Sequence, residues 1–389
     1  MDRNEQKPAI RFQGFTAPWE QRKLSVVVGT TYGGGTPVTS NDDFWNGDIP
    51  WIQSSNVLED QLFDVDVKKY ISKDGLNHSA AQLIPGNSVA VVTHVGVGKL
   101  VLMPYSYTTS QDFISLGDMK CEPRFLCYAL YKKLQEELHI VQGSAIKGIT
   151  KEDLMSKQLF LPGVEEQEKI AGTLQNLDHL ITLHQRKYDK LVNVKKSMLE
   201  KMFPRDGANA PEIRFFGFTA PWEQRKLGGE ATEIIAGGDI DKEKVIEDGT
   251  YPIYANALTN DGIVGYYNDY YRVKAPAVTV TGRGEVGHAQ ARMTDFTPVV
   301  RLLAIRSNHD CYFLENAINN HEVVVESTGV PQLTVPQLSS YDICFPKDIE
   351  EEKKIGAFFS TLDKTITLHQ RKLEKLKNIK KSMLEKMFA

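Results

Sequence analysis

Gly282-Arg283-Gly284-Glu285-Val286-Gly287 carries the most promising chemical spacing in the chain. A Gly-x-Gly-x-x-Gly run after a strand lets the backbone approach a dinucleotide pyrophosphate, provided a helix begins there and turns its N-terminus to the phosphates. The residues that follow, His288 to Thr294, read as another strand, so the run is a β-turn. Gly98-Lys99 looks like the close of a phosphate loop, but Thr93 stands where the first glycine is required and Leu100 where Ser or Thr would be. Pro346-Lys347-Asp348 with Glu351-Glu352-Lys353 offers a nuclease-like set of carboxylates and lysine, yet these residues open a long helix, where acidic side chains complement the dipole. No His-Glu-x-x-His, Gly-x-Ser-x-Gly or Pro-Pro-aromatic base-holding element occurs. Cys121, Cys127, Cys311 and Cys344 form no Cys-x-x-Cys pair and read as reduced, buried thiols, with no metal site and no catalytic residue assigned.

Composition bounds what the chain is. Its 389 residues suggest two or three domains, and 41% apolar with 25% charged residues fits a folded protein. No apolar run approaches the ~18 residues of a membrane span. The first residues, Met1 to Lys7, are polar and unlike a signal peptide, so the expectation is a soluble cytoplasmic protein. Lys and Arg number 46 against 50 Asp and Glu, a net charge of -4, which excludes a uniformly basic nucleic-acid binder. Any such contact must use local patches or a partner's charge.

The chain is written twice. Ile10 to Leu24 recurs as Ile213 to Leu227 with 14 of 15 positions identical, Gln13 alone becoming Phe216. Glu165 to Phe203 recurs as Glu350 to Phe388 with 25 of 39 identical. The offsets are 203 and 185, so the first intervening segment is 18 residues longer (203 − 185). The segments between, roughly 25–145 and 228–328, share little sequence. Two like frames around unlike inserts suggest a pseudo-symmetric scaffold with two recognition tasks.

The second repeated block is a helix with an apolar seam. Ile170, Leu174, Leu177, Ile181, His184, Tyr188, Leu191, Lys195, Met198 and Met202 follow a 4-3 spacing. Ile355, Phe359, Leu362, Ile366, His369, Leu373, Leu376, Lys380, Met383 and Met387 repeat it in phase. Such a seam, sustained over more than four heptads, predicts a coiled coil. About 38 residues span roughly 57 Å. The two seams are expected to pack on each other, antiparallel if a two-fold axis crosses them, with the histidines and lysines setting register. Thr150 and Thr334 open short helices before each block, and Thr334 to Gln337 fits a capping box. The inserts read as mixed α/β, with a strand, glycine turn and strand at Thr93–Gly98 and Thr281–Gly287 and helices near Pro123–Ile140 and Asp310–Asn320.

Taken together, the architecture resembles the DNA-specificity subunit of type I restriction–modification systems. The residues that carry the resemblance are Phe-x-Gly-Phe-x-x-x-Trp at Phe12–Trp19 and Phe215–Trp222, Gly34-Gly35-Thr36-Pro37 followed by Trp45 to Trp51, Gln142-Gly143-Ser144 with Ile149-Thr150, and Glu166-Gln167 leading into the long helix. One departure is Glu352 where the first copy has Gln167. The resemblance covers nearly the whole chain. It implies two pseudo-symmetric α/β target-recognition domains, each reading half of a bipartite duplex site, separated by two long antiparallel coiled-coil helices that fix the unread spacer. It implies DNA, two modification (methyltransferase) subunits and restriction (translocase and endonuclease) subunits as partners. S-adenosylmethionine, ATP and Mg²⁺ would be bound by those partners and no cofactor by this chain.

The expected divisions are a first target-recognition domain at 1–164, a first helix at 165–203, a second target-recognition domain at 204–349 and a second helix at 350–389. Bases are read in the grooves by Arg, Lys, Asn, Gln or His. The candidates are Gly34, Gly35, Thr36, His94, Lys99, Ser144 and Lys147 in the first insert, and Asn256, Arg283, His288 and Arg292 in the second. Competing readings are a self-contained nuclease or methyltransferase, and a coiled-coil adaptor that binds only protein.

Overall fold

A computed structural model describes residues 7–140, 148–205, 207–322 and 331–388. The fold is mixed α/β, and the chain divides into two compact units, 1–184 with 372–389, and 185–371. Each unit therefore takes one part of each long helix, Val164–Met202 and Ile349–Lys386.

In the first unit a four-stranded antiparallel sheet runs in the order Val28–Tyr32, Phe113–Met119, Ser88–Val92, Leu100–Met103. The central strand, SVAVV, is buried along its length, so both of its faces are covered. A three-stranded sheet, Lys69–Ile71, Ile49–Ile52, Thr108–Thr109, stands beside it. The helix Pro123–Ile140 packs Phe125, Leu126, Leu130 and Leu134 into the same core as Val89, Val91 and Leu116.

The second unit has the same topology. Its four-stranded order is Ala231–Ala236, Leu302–Ser307, Ala277–Thr281, Ala289–Arg292, and its three-stranded order is Ile263–Tyr267, Tyr251–Tyr254, Thr297–Pro298. The inserts that share little sequence thus share a fold. A buried strand requires only apolar side chains that fit, and many sequences meet that demand.

The repeated 15-residue motif closes each unit. Glu20–Lys23 pairs antiparallel with Gln158–Leu161, and Glu223–Lys226 with Asp342–Phe345. The short helices before those partner strands begin as the sequence predicts. Thr150 accepts from Asp153 N, and Thr334 with Gln337 forms a capping box.

Within the first unit the N-terminal half of the central helix lies antiparallel to the end of the C-terminal helix: Ile170, Leu174 and Leu177 share a core with Met383, Met387 and Phe388. Within the second unit Met198, Met202 and Phe203 share a core with Ile355 and Phe359. All twenty seam positions are buried or half-buried. The heptad pattern therefore coincides with the face that the two helices cover.

Candidate nucleic-acid interface

What positions the surface loops is a pair of matched anchors. Arg11 makes a bidentate pair with Glu166, both contacts 2.7 Å, and Arg214 does the same with Glu351 at 2.6 and 2.7 Å. Both carboxylates are fully buried, so a planar fork that satisfies two oxygens at once offsets their desolvation. The hydrogen bond to the carboxylate raises each guanidinium above its ordinary pKa, against the opposing effect of burial. Trp19 packs edge-on to Phe125 and Phe388, and Trp222 edge-on to Phe203 and Phe313. Gly14 and Gly217 turn the chain at φ +97° and +100°, a conformation that side-chain-bearing residues rarely adopt. These contacts explain why the 15-residue motif is repeated so closely: it docks each insert on a helix pair.

The departure at Glu352 has a structural reason. Gln167 accepts from Glu122 N at 2.9 Å and donates to Pro162 O at 2.7 Å. Glu352 accepts from Asp310 N at 3.1 Å and meets His309 Nδ1 at 2.8 Å, while His309 Nε2 meets Glu230 at 2.9 Å. Burial lowers the pKa of His309, but the hydrogen bonds to Glu352 and Glu230 more than offset this and raise it overall. Sequence reasoning missed this cluster. The Gln167-to-Glu352 change was its signal, because a second buried carboxylate needs a cation.

The structure separates the sequence-predicted residues into two kinds. Gly34 and Gly35 lie where the chain crosses the small sheet. A β-carbon on Gly34 would overlap Ser110 O, and one on Gly35 would overlap the backbone of Ala80 and Ala81. Gly35 O accepts from Trp51 Nε1 at 3.0 Å. Asn256 is half-buried and spends its amide on backbone, accepting from Gly282 N at 2.9 Å and donating to Val300 O at 3.1 Å. Arg292 is 6% exposed at its side chain, pairs with Asp261 at 2.9 Å and stacks 3.7 Å over the Tyr254 ring.

Thr36, His94, Arg283 and His288 are exposed, and Lys99 is half-buried. His94 and Lys99 flank one turn, Arg283 and His288 the other. The turns are equivalent. Gly98 N donates to Val92 O, and Gly287 N to Thr281 O, with positive φ at Gly96 and Gly98 and at Gly284 and Gly287. The strand Ala289–Arg292 follows the second turn, so the Gly-x-Gly-x-x-Gly run leads into a strand and not into the helix that a pyrophosphate site needs. Ser144 and Lys147 lie outside the described residues. Among the described residues no His, Cys, Asp and Glu group could hold a metal ion, and no helix is long and apolar enough to cross a membrane.

Paired helices with repeated docking motifs, two sheets of one topology and exposed turn tips define a frame that presents two dissimilar surfaces. Residues 17–193 and 220–378 match the family described as the type I restriction modification DNA specificity domain, and the chain belongs to that family. It is 26% identical over 297 residues to a putative type I specificity subunit of Mycoplasma pneumoniae, covering 72% of this chain and 74% of that protein. It is 22% identical to the type I restriction enzyme MjaIX specificity subunit of Methanocaldococcus jannaschii, covering 95% of this chain and 92% of that one. The crystal structure of a type I restriction–modification S subunit from M. genitalium has the same fold, with a TM-score of 0.71 at 15% identity over 98% of this chain and 99% of that chain.

Proposed function

We propose that this chain is the non-catalytic recognition subunit of a cytoplasmic type I complex, each unit reading one half of a bipartite duplex site. The observation that carries this reading is the duplication of one sheet topology with unlike loops at matched places. One scaffold presented twice supplies two readers, and unlike loops supply two sequences to read.

The recognition domains are 1–164 and 204–349, and the helices 165–203 and 350–389 fix the unread spacer and dock two methyltransferase subunits. An uninterrupted helix of 39 residues extends about 58 Å, enough for half-sites a helical turn apart. S-adenosylmethionine, ATP and Mg²⁺ belong to the partner subunits. With a net charge of -4, partners supply much of the phosphate clamp. His94, Lys99, Ser144 and Lys147 in the first domain, and Arg283 and His288 in the second, are the proposed DNA contacts. Exposed Thr36 is a further proposed contact in the first domain, and Gly34, Gly35, Asn256 and Arg292 shape the surfaces beside these residues.

The test is methylation mapping in cells that lack this chain and are complemented with variants. Exchanging residues 228–328 for another insert changes one half-site and leaves the other. Adding one heptad at matched points of both helices lengthens the spacer with the half-sites unchanged, the rod growing by about 10 Å. An exchange that alters both half-sites, or neither, overturns the two-reader reading. An unchanged spacer overturns the ruler.

A further inference from the structure

The two inserts share a topology but part at one connection. In the first unit sixteen residues, 53–68, join Ile49–Ile52 to Lys69–Ile71, and they bury Val57 and Leu62. In the second unit eight residues, 255–262, join Tyr251–Tyr254 to Ile263–Tyr267, and Ala257 through Asp261 are all exposed.

This short loop is held in an unusual way. Asn260 and Asp261 both adopt left-handed conformations, φ +51° and +57°, and Gly262 follows at +76°. Non-glycine residues there cost free energy that surrounding contacts must supply. Arg292 supplies them: Nη1 pairs with Asp261 Oδ2 at 2.9 Å, Nη2 donates to Gln290 Oε1 at 2.8 Å and Nε to Thr279 Oγ1 at 3.1 Å. Gln290 donates back to Asp261, and the guanidinium carbon lies 3.7 Å over the Tyr254 ring centroid. In the first unit Met103 occupies the equivalent strand position, opposite Ser88 as Arg292 lies opposite Ala277. The cation is thus peculiar to the second unit. Asn256 ties the same loop to the turn that carries Arg283.

Burying a guanidinium is costly, and here its fixed fork stabilises a loop that contributes no large apolar side chain to a core. A loop held rigid at that expense loses little entropy when it meets a ligand. We propose that residues 257–261 form a base-reading element for the second half-site, with Leu258 and Thr259 facing a groove edge, and that Arg292 is a positioning residue acting through Asp261. Leu258 is 45% exposed, and its methyl groups suit a thymine methyl as Thr259's hydroxyl suits a base edge. This rests on the two-reader function proposed above.

The test uses the full chain assembled with its methyltransferase subunits and duplex libraries randomised in one half-site at a time. Asp261→Asn removes the charge at a half-exposed position. The expected result is faster hydrogen exchange across 257–262 and a loss of about tenfold in discrimination at the second half-site, with the first unchanged. Leu258→Ala alters base preference at that half-site without changing loop exchange. If Asp261→Asn loosens the loop while discrimination holds, or leaves both unchanged, or if Leu258→Ala reads the library as the parent does, the proposal is overturned and the two-reader function stands. The control exchange of 228–328 separates the two: if it changes neither half-site, both readings fall.

Discussion

Lys195 Nζ lies 2.6 Å from Asp363 Oδ1 in the second unit, and in the first unit Lys380 Nζ lies 2.6 Å from Asp178 Oδ1. The four residues are two repeats of one pair, since 195 + 185 = 380 and 178 + 185 = 363. Each unit joins the lysine of one copy to the aspartate of the other, as helices that run antiparallel within the unit require. A lysine at a seam position is thereby neutralised and specifies alignment.

The two bridges differ in burial, so they should differ in worth. Lys380 and Asp178 are 10% and 19% exposed at their side chains, and Tyr128 donates to Asp178 as well. Lys195 and Asp363 are 28% and 36% exposed. We expect Asp178→Asn to cost roughly 3 kcal/mol, because it leaves a buried ammonium without its counter-charge, facing the neutral Asp60 O at 3.3 Å. Asp363→Asn should cost about 1 kcal/mol or less. Urea unfolding of the two variants measures this, and equal losses contradict the argument.

Much of the frame was legible because its constraints are periodic or local. The seam reads directly from Ile170 to Met202, and the caps at Thr150 and Thr334 from residue type alone. The surface was not. Arg292 and Arg283 look alike in sequence, yet one is buried over Tyr254 and the other exposed. The distinction depends on the left-handed turn at Asn260 and Asp261, which brings Asp261 to Arg292 from 31 residues away. No periodicity encodes that contact.

The His309 cluster predicts a histidine titrating above its ordinary value of 6.5. An imidazolium between Glu352 and Glu230 stabilises the fold below that value. The contribution is lost as pH rises through the folded pKa, since the native state holds the proton after the unfolded chain has released it. Glu352→Gln, which installs the residue of the first copy, should bring the titration down. Imidazole NMR reads both midpoints; a parent midpoint at or below 6.5 refutes the assignment.

The glycines separate strain from overlap. Gly14→Ala meets no atom within 4 Å and suffers only from φ +97°, a penalty of about 1–2 kcal/mol. Gly35→Ala would drive a β-carbon into the Ala80–Ala81 backbone, so the loop or sheet must move. A loss above roughly 3 kcal/mol is expected, together with a red shift in the emission of the buried Trp51, confined to this variant. Denaturation followed by tryptophan fluorescence distinguishes them, and similar losses with unchanged emission argue against the close approach.

Glu315 gives the second unit a further pH dependence. It sits on the helix Cys311–Asn319, and burial first, then Asp363, pushes its carboxyl up to about 7, against Lys195, Arg292 and a hydrogen bond from the Ala291 backbone. The first unit has Cys127 at the equivalent turn, two residues after Phe125 as Glu315 is two after Phe313. A raised folded pKa means that the native state keeps the proton over a range where the unfolded chain, near 4.5, has lost it. Stability from this group is therefore complete below about 4.5 and falls as pH rises towards 7. At about 1.4 kcal/mol per unit the loss approaches roughly 3 kcal/mol. Glu315→Gln keeps the shape and removes the titration, so its melting temperature should exceed the parent's above pH 7 and vary less between pH 5 and 7. Calorimetry across that range checks the sign. A parent stability that rises from pH 5 to 7 by an amount the variant abolishes would show that the carboxylate, not the acid, is the form the fold prefers.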